Sequence, residues 1–378
     1  MIAAARGSLT AVYVVAGFVL GEGGLKLLHV DPRSEFVSAL ATVALIVILF
    51  RDGLEVEAEM LQREWGLPLR KIVLAMPLTC VLVACATKAL TDLSWTESFL
   101  VGALLSPTDP VLSSSVVTNP RVPRVIRHSL NLESGLNDGL ALPAVVAFAA
   151  ALDPSQSDFV WWKFVLQDVT IGFAAGLLVG YAASLGMRER SPHLKALFAL
   201  AVAFAAYGIA ILPDGNGLIA VFVCAIVLGI RRPDILASFE TRSEGLLQAV
   251  KLGIFVVFGS LLTFGGLFED GVAAVAIVAF TLLAARPLAV FVSLAGTRTD
   301  GATRAFMGWF GPKGVATMTF SLLVLSQGIA AGDRIFHIAS LAVLVSIIAH
   351  GLTDHAGAEW IARRAERAER AEAPPIPA

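Results

Sequence analysis

Apolar runs of about twenty residues alternate along this chain with short polar connections. A helix of that length rises about 30 Å, enough to cross the hydrocarbon layer of a bilayer. The pattern predicts an all-α polytopic membrane protein of about twelve transmembrane helices. Candidate spans cover about 9–29, 35–51, 68–90, 95–118, 125–151, 160–186, 193–212, 215–230, 244–266, 270–292, 302–327 and 334–355. No connection is long enough for an inserted soluble domain, so residues 1–360 read as one integral membrane unit. The tail "RRAERAERAEAPPIPA" alternates in charge and then turns proline-rich. Residues 361–378 are therefore expected to be a helical stub followed by disorder, on the cytoplasmic side.

Composition agrees with the pattern. The chain is 57% hydrophobic and only 15% charged, where a soluble domain has about a quarter of its residues charged. A formal net charge of −2 points to no nucleic-acid partner. Most of the 28 Lys and Arg residues fall on one side if the N-terminus is inside, as the positive-inside rule requires. Arg51 and Lys71 are counted there as residues of a connection. Cys80, Cys85 and Cys224 lie in apolar runs without metal-ligand spacing and read as small core residues. His128 and His350 lie near span ends and read as interfacial. No nucleotide-binding loop, nucleophile–His arrangement or cofactor motif is present, so no cofactor is expected.

Several charges remain inside the spans: Asp109, Glu133, Asp138, Lys251, Arg286 and Lys313. A charge at the bilayer centre costs about 2.5–3.5 kcal/mol on insertion scales and is by default functional. Two of them sit at interruptions. In "SFLVGALLSPTDPVLSSSVV" the prolines 107 and 110 flank Thr108 and Asp109, and each removes a backbone donor. In "FMGWFGPKGVATMTFSLL" Gly311, Pro312 and Gly314 surround Lys313. Irregular backbone at membrane depth is tolerated only in protein or against a water-filled cavity. The broken spans run in opposite directions, which predicts inverted repeats (spans 3–5 and 10–12) whose two broken helices cross at the site. Asp109 suits the positive ends of the half-helices and Lys313 the negative ends.

Residues 133–139, "ESGLNDG", carry two carboxylates in one helix. Ser134 and Asp138 are four apart and share a face, as do Glu133 and Asn137. Glu133 and Asp138 are five apart, roughly 140° around the axis, so they are expected to have different tasks. Asp138 with Ser134 is placed against the broken span, with Lys313 or Lys251 as an alternative structural partner. Glu133 needs a buried cation, and Arg286 is its expected partner. Asn137 is expected to brace Glu133 or the unwound backbone. Carboxylates with Thr, Ser and carbonyl oxygens form a hard-oxygen site that suits a small hard cation. A buried carboxyl group must be neutralised, by a proton or by a cation. A site that takes one or the other is an exchanger, and with no ATP motif its transport is secondary.

At "SPTDP" (106–110), "ESGLNDG", Arg286 and "GPKG" (311–314) the sequence resembles the sodium/proton antiporter superfamily, in particular its electroneutral branch, of which the Asn137–Asp138 pair is the most specific mark. The resemblance covers most of the chain. It implies the antiporter fold in a homodimer, with one-for-one exchange of Na+ (or Li+ or K+) for H+ and a role in pH homeostasis. It implies a core domain (helices about 68–151 and 270–355) moving against dimerisation helices (about 9–51 and 160–266). It also implies Na+ or another monovalent cation at Asp138, Asp109, Thr108 and Ser134, supported by Asn137, with Glu133–Arg286 as a structural ion pair and Lys313 compensating the helix break. Many members have thirteen spans, and the first run here looks like their second. Many also carry Arg where this chain has Lys313. The expected setting is the cell membrane, with the lipid bilayer, the cation and the proton as partners. Two rival readings use the same features: a cation channel or uniporter, and an intramembrane aspartyl enzyme or sensor.

Overall fold

The computed structural model describes residues 2–60, 66–109, 114–153, 159–186 and 192–372. All regular structure among them is helical. The helices are α1 (Ile2–Leu20), α2 (Glu35–Met60), α3 (Gly66–Leu90), α4 (Trp95–Leu105), α5 (Ser114–Thr118), α6 (Arg124–Ala150) and α7 (Trp161–Gly186), followed by α8 (Pro192–Ile211), α9 (Gly217–Arg231) and α10 (Asp234–Ser260). After them come α11 (Phe264–Leu267), α12 (Val272–Ser293), α13 (Gly301–Trp309), α14 (Val315–Ser326) and α15 (Gly332–Glu372). Among the described residues, 7 helices are long and apolar enough to cross a membrane, and Thr10–Leu20, Trp95–Leu105, Gly217–Arg231 and Val315–Ser326 are shorter apolar helices. Each expected span contains helix.

The boundaries differ where polar residues continue a helix beyond its apolar run. Span 2 was expected to end at 51, yet α2 continues to Met60, and α10 begins at Asp234 rather than about 244. Hydropathy marks where lipid contact stops, whereas a helix stops only where its backbone bonding is broken. Likewise α15 runs unbroken through Arg364 to Glu372, and residues 373–378 lie outside those described.

Local signals start several helices. Ser94 and Glu97 form a reciprocal capping box at α4, with bonds of 3.2 and 2.6 Å. Asn216 Oδ1 accepts from the Leu218 and Ile219 amides at the start of α9. Asp300 caps α13, accepting from Thr303 N at 2.9 Å. With Thr303 and the Arg364 guanidinium beside it, the Asp300 carboxyl is held down at about 2.

α2 lies at the centre of the bundle. It packs against α9 and α10 on one side and α6 and α14 on another. α7 meets α9 through Gly172, Gly176 and Gly180, where a Cβ would collide with the backbone of Asn216, Ala220 and Cys224. Small-residue stripes of this kind let helices approach closely in lipid. The outward faces of α3, α7, α8 and α12 expose Leu74, Leu178, Leu197 and Leu283, as lipid contact requires. Of the cysteines only Cys224 is fully buried; Cys85 is exposed on α3, on a lipid-facing rather than a core position.

Candidate functional site

Two interruptions cross in the middle of the bundle. α4 ends at Leu105 and the backbone through residues 106–109 is irregular; Pro110 lies outside the described residues. α13 ends at Trp309 and α14 starts at Val315, with residues 310–314 irregular between them. The two segments bond directly, Asp109 N donating to Pro312 O at 2.8 Å. Lys313 Nζ donates to Pro107 O at 2.9 Å and Ser106 O at 3.4 Å, just past the C-terminal end of α4. Asp109 Oδ2 accepts from Val315 N at 3.1 Å, at the N-terminal end of α14. Each charge therefore meets the half-helix end of opposite polarity. Lys313 is completely buried, and the carbonyls it bonds are those an interrupted helix leaves without partners.

α15 holds the second interruption in place. Ser346 Oγ accepts from Lys313 N at 2.8 Å. His350 Nε2 lies 2.9 Å from Trp309 O, and its ring stacks on Trp309. His350 and His128 are both buried, contrary to the interfacial expectation. His350 belongs to a helix that continues well past the expected end of its span, which puts it against α13 rather than at a boundary.

The glycines of "GPKG" are explained by close approach. A Cβ on Gly311 would strike the Arg286 guanidinium, and one on Gly314 would strike the Asp109 carboxylate. Gly311→Ala should lower stability by about 1–3 kcal/mol through overpacking, read as a lower melting temperature in detergent. An unchanged melting temperature would show that Arg286 can yield at no cost.

α6 passes beside the crossing and presents two faces. On one, Glu133 lies 3.0 Å from Arg286 Nη1 and 2.5 Å from Lys71 Nζ. All three side chains are buried. Lys71 begins a π-helical turn in α3, and Arg286 directly follows another in α12; such wide turns are frequent at functional sites. On the neighbouring face, Ser134 Oγ donates to Thr108 O at 2.5 Å. Asn137 Nδ2 donates to Thr108 O at 3.0 Å and to Thr108 Oγ1 at 2.8 Å. Ser134 and Asn137 thus clamp the unwound backbone at Thr108.

Asp138 stands apart from this clamp. It is buried, and among the described residues its Oδ1 and the neighbouring Asn137 Oδ1 have no hydrogen-bond donor. Among the described residues no cation lies within ion-pair distance of it. The charged groups that act on it are Asp52, Asp109, Lys251 and Arg51. A small void of about 10 Å³, room for about one water-sized body, is lined by Thr108, Asp109, Glu133, Ser134, Gly311 and Pro312. Asp138 is not part of that lining. The structure thus joins Thr108, Ser134 and Asn137, ties the two interruptions together through Asp109 and Lys313, and leaves Asp138 outside both groups, with Asp52 of α2 and Asp109 the carboxylates that act on it. An open cavity of about 720 Å³ between α1, α2 and α10 is lined by Thr10, Tyr13, Arg51, Gln248, Lys251 and Val315 among others. Val315 links it to the crossing. Among the described residues, no group of three or more His, Cys, Asp or Glu could hold a metal ion.

Two residues of this site escape a reading of the sequence. Asp52 follows Arg51 at the end of an apolar run, where polar residues read as a connection; in the structure it is buried inside α2 and acts on Asp138. Lys71 was counted with the connection before span 3, yet it is completely buried against Glu133. The available signal was charge balance, since Glu133 is an acid deep in a helix that faces two candidate cations.

A family profile described as "Sodium/hydrogen exchanger, transmembrane" matches residues 5–356. The chain is 26% identical over 363 residues to the K(+)/H(+) antiporter NhaP of Alkalimonas amylolytica, covering 93% of this chain and 62% of that protein. It is 24% identical to the K(+)/H(+) antiporter NhaP2 of Shewanella sp. (strain ANA-3), over 90% of this chain and 60% of that protein. It is 26% identical to the Na(+)/H(+) antiporter NhaG of Bacillus atrophaeus, over 90% of this chain and 68% of that protein. The chain thus spans about three fifths of the length of the first two relatives. The structure of the sodium proton antiporter MjNhaP1 from Methanocaldococcus jannaschii at pH 8 has the same fold, with a TM-score of 0.80 at 18% identity, over 96% of this chain and 97% of that one.

Proposed function

The chain belongs to the sodium/hydrogen exchanger family, a family of multi-pass membrane transporters and not of enzymes, and from that premise we propose that it exchanges a monovalent cation for protons at Asp138. The observation that carries this reading is the pair of buried acceptor oxygens, Asp138 Oδ1 and Asn137 Oδ1, that have no donor among the described residues. A buried carboxylate without a donor or cation is costly. A proton relieves that cost, and so does a dehydrated monovalent cation; one position does not hold both. Asp52 and Asp109 add negative charge nearby, which favours a cation. Thr108, Ser134 and Asn137 fix the unwound backbone at the crossing. Glu133 with Arg286 and Lys71 is structural, and Lys313 and Asp109 hold the crossed half-helices together.

Alternating access follows if the group α3–α6 with α12–α15 moves against α1, α2 and α7–α10. α2 forms the seam, since it carries Asp52 toward Asp138 while packing on α9 and α10. The latter group is the proposed homodimer contact in the cell membrane, with α15 ending in the cytoplasm. The relatives carry both K(+)/H(+) and Na(+)/H(+) names, so the cargo is proposed as a monovalent cation, serving pH homeostasis.

The test is cation-driven proton movement in proteoliposomes with the membrane potential clamped. Exchange should rise and then fall across pH. At low pH protons hold Asp138 against the cation, and at high pH no proton is available for the return step. A flat profile would contradict a shared site, and cation current without proton movement would make the protein a uniporter.

A further inference from the structure

Lys251 is a charge that the exchange reading leaves without a task. It lies in α10, in a stretch apolar enough to cross the membrane. Its side chain lines the open cavity of about 720 Å³ that reaches Val315 at the crossing. Arg51 on the same wall is paired with Glu55. Lys251, in contrast, makes no hydrogen bond and no ion pair among the described residues. The charged groups that face it are Arg51, Asp52 and Glu55 from α2 and Asp109 from the crossing. It also acts on Asp138 from α6. A lysine in lipid is expensive and is ordinarily retained for a reason. A structural reason would be a partner, and Lys251 has none among the described residues. Its place is the wall of an open cavity that reaches Val315, whose amide donates to the Asp109 carboxylate.

We propose that Lys251 is a specificity-determining residue that sets the exchanger's apparent cation affinity: a fixed positive charge in the approach cavity that opposes the incoming cation and keeps KM high. Unit charges several ångströms apart in a partly hydrated interior interact by enough to change an equilibrium several-fold. Lys251 therefore weakens cation binding at Asp138 without touching the cation. Because the charge sits on α10 and the carboxylates on α2, α6 and the crossing, its effect is greatest when the cavity is open to the site. This inference rests on the exchange reading above.

The test is the cation dependence of exchange by the purified protein in proteoliposomes, at a fixed near-neutral pH. Lys251→Met and Lys251→Gln should lower the apparent KM for cation about three- to tenfold, and Lys251→Arg should keep the wild-type value. Damage to the fold does not tighten binding, so the direction of the change separates this role from a structural one. A KM in both neutral variants that is unchanged or raised, with monodisperse protein, overturns the proposal. If Lys251→Met does not yield folded protein, Lys251→Gln against Lys251→Arg decides it by the same criterion. Absence of exchange in the wild-type protein would overturn the exchange reading itself, whereas active wild type with insensitive Lys251 variants sinks only the role of Lys251.

Discussion

Asp138→Asn protein, reconstituted into liposomes, is expected to lose cation-driven proton movement by about two orders of magnitude or more. Asparagine keeps the shape of the side chain and can still hydrogen-bond, but it neither titrates nor carries charge. Removing one partner of a buried charged contact costs about 3–5 kcal/mol, and each 1.4 kcal/mol is tenfold. The fold should survive, because among the described residues Asp138 Oδ1 has no hydrogen-bond partner to lose, and a neutral group is easier to bury than a charged one. The melting temperature should therefore hold or rise while exchange disappears. Exchange retained at near wild-type rate would remove Asp138 from its role and shift attention to Asp52 or Asp109.

Glu133→Ala should do the reverse, unfolding the protein more readily than it changes the chemistry. Glu133 lies between Arg286 and Lys71, at 3.0 and 2.5 Å, with all three buried. Without its carboxylate, two cations remain in a low-dielectric interior with no counter-charge, at a cost of about 3–5 kcal/mol. The melting temperature in detergent should fall by roughly 5–10 °C, and the yield of monodisperse protein with it. Lys71→Met should cost less, because it leaves a neutral Glu133–Arg286 pair. A Glu133→Ala protein of normal stability but without exchange would mean that the tasks of Glu133 and Asp138 have been interchanged.

The architecture was legible in the sequence because lipid imposes a simple rule. Helices in contact with lipid are apolar over most of their length, so they announce themselves. The two interruptions were legible for the opposite reason, since Pro107 and the Gly-Pro-Lys-Gly run disfavour a continuous helix. Helical angles separated Glu133 from Asp138, and charge balance directed Glu133 to Arg286, which the structure places in contact. What the sequence hid were residues where apolar runs end. Asp52 and Lys71 sit at such ends and read as parts of connections, because hydropathy does not report that a helix continues inside the protein. A π-helical turn such as Lys71–Ala75 leaves no mark in hydrophobic periodicity either, yet it helps decide where the side chain beside it points. The surroundings of Asp138 depend on which helix packs against which face of α6. That is a long-range property, and no local pattern encodes the approach of α2.

The proposed competition between proton and cation for one buried carboxyl group can be measured without transport. Cation binding to the detergent-solubilised protein is titrated calorimetrically in buffers of different ionisation enthalpy, which counts the protons released per cation bound. The wild-type protein should release protons as the cation binds, most strongly where Asp138 is largely protonated beforehand, and Asp138→Asn should release none. Tight cation binding by the wild-type protein with no proton release at any pH would contradict the account.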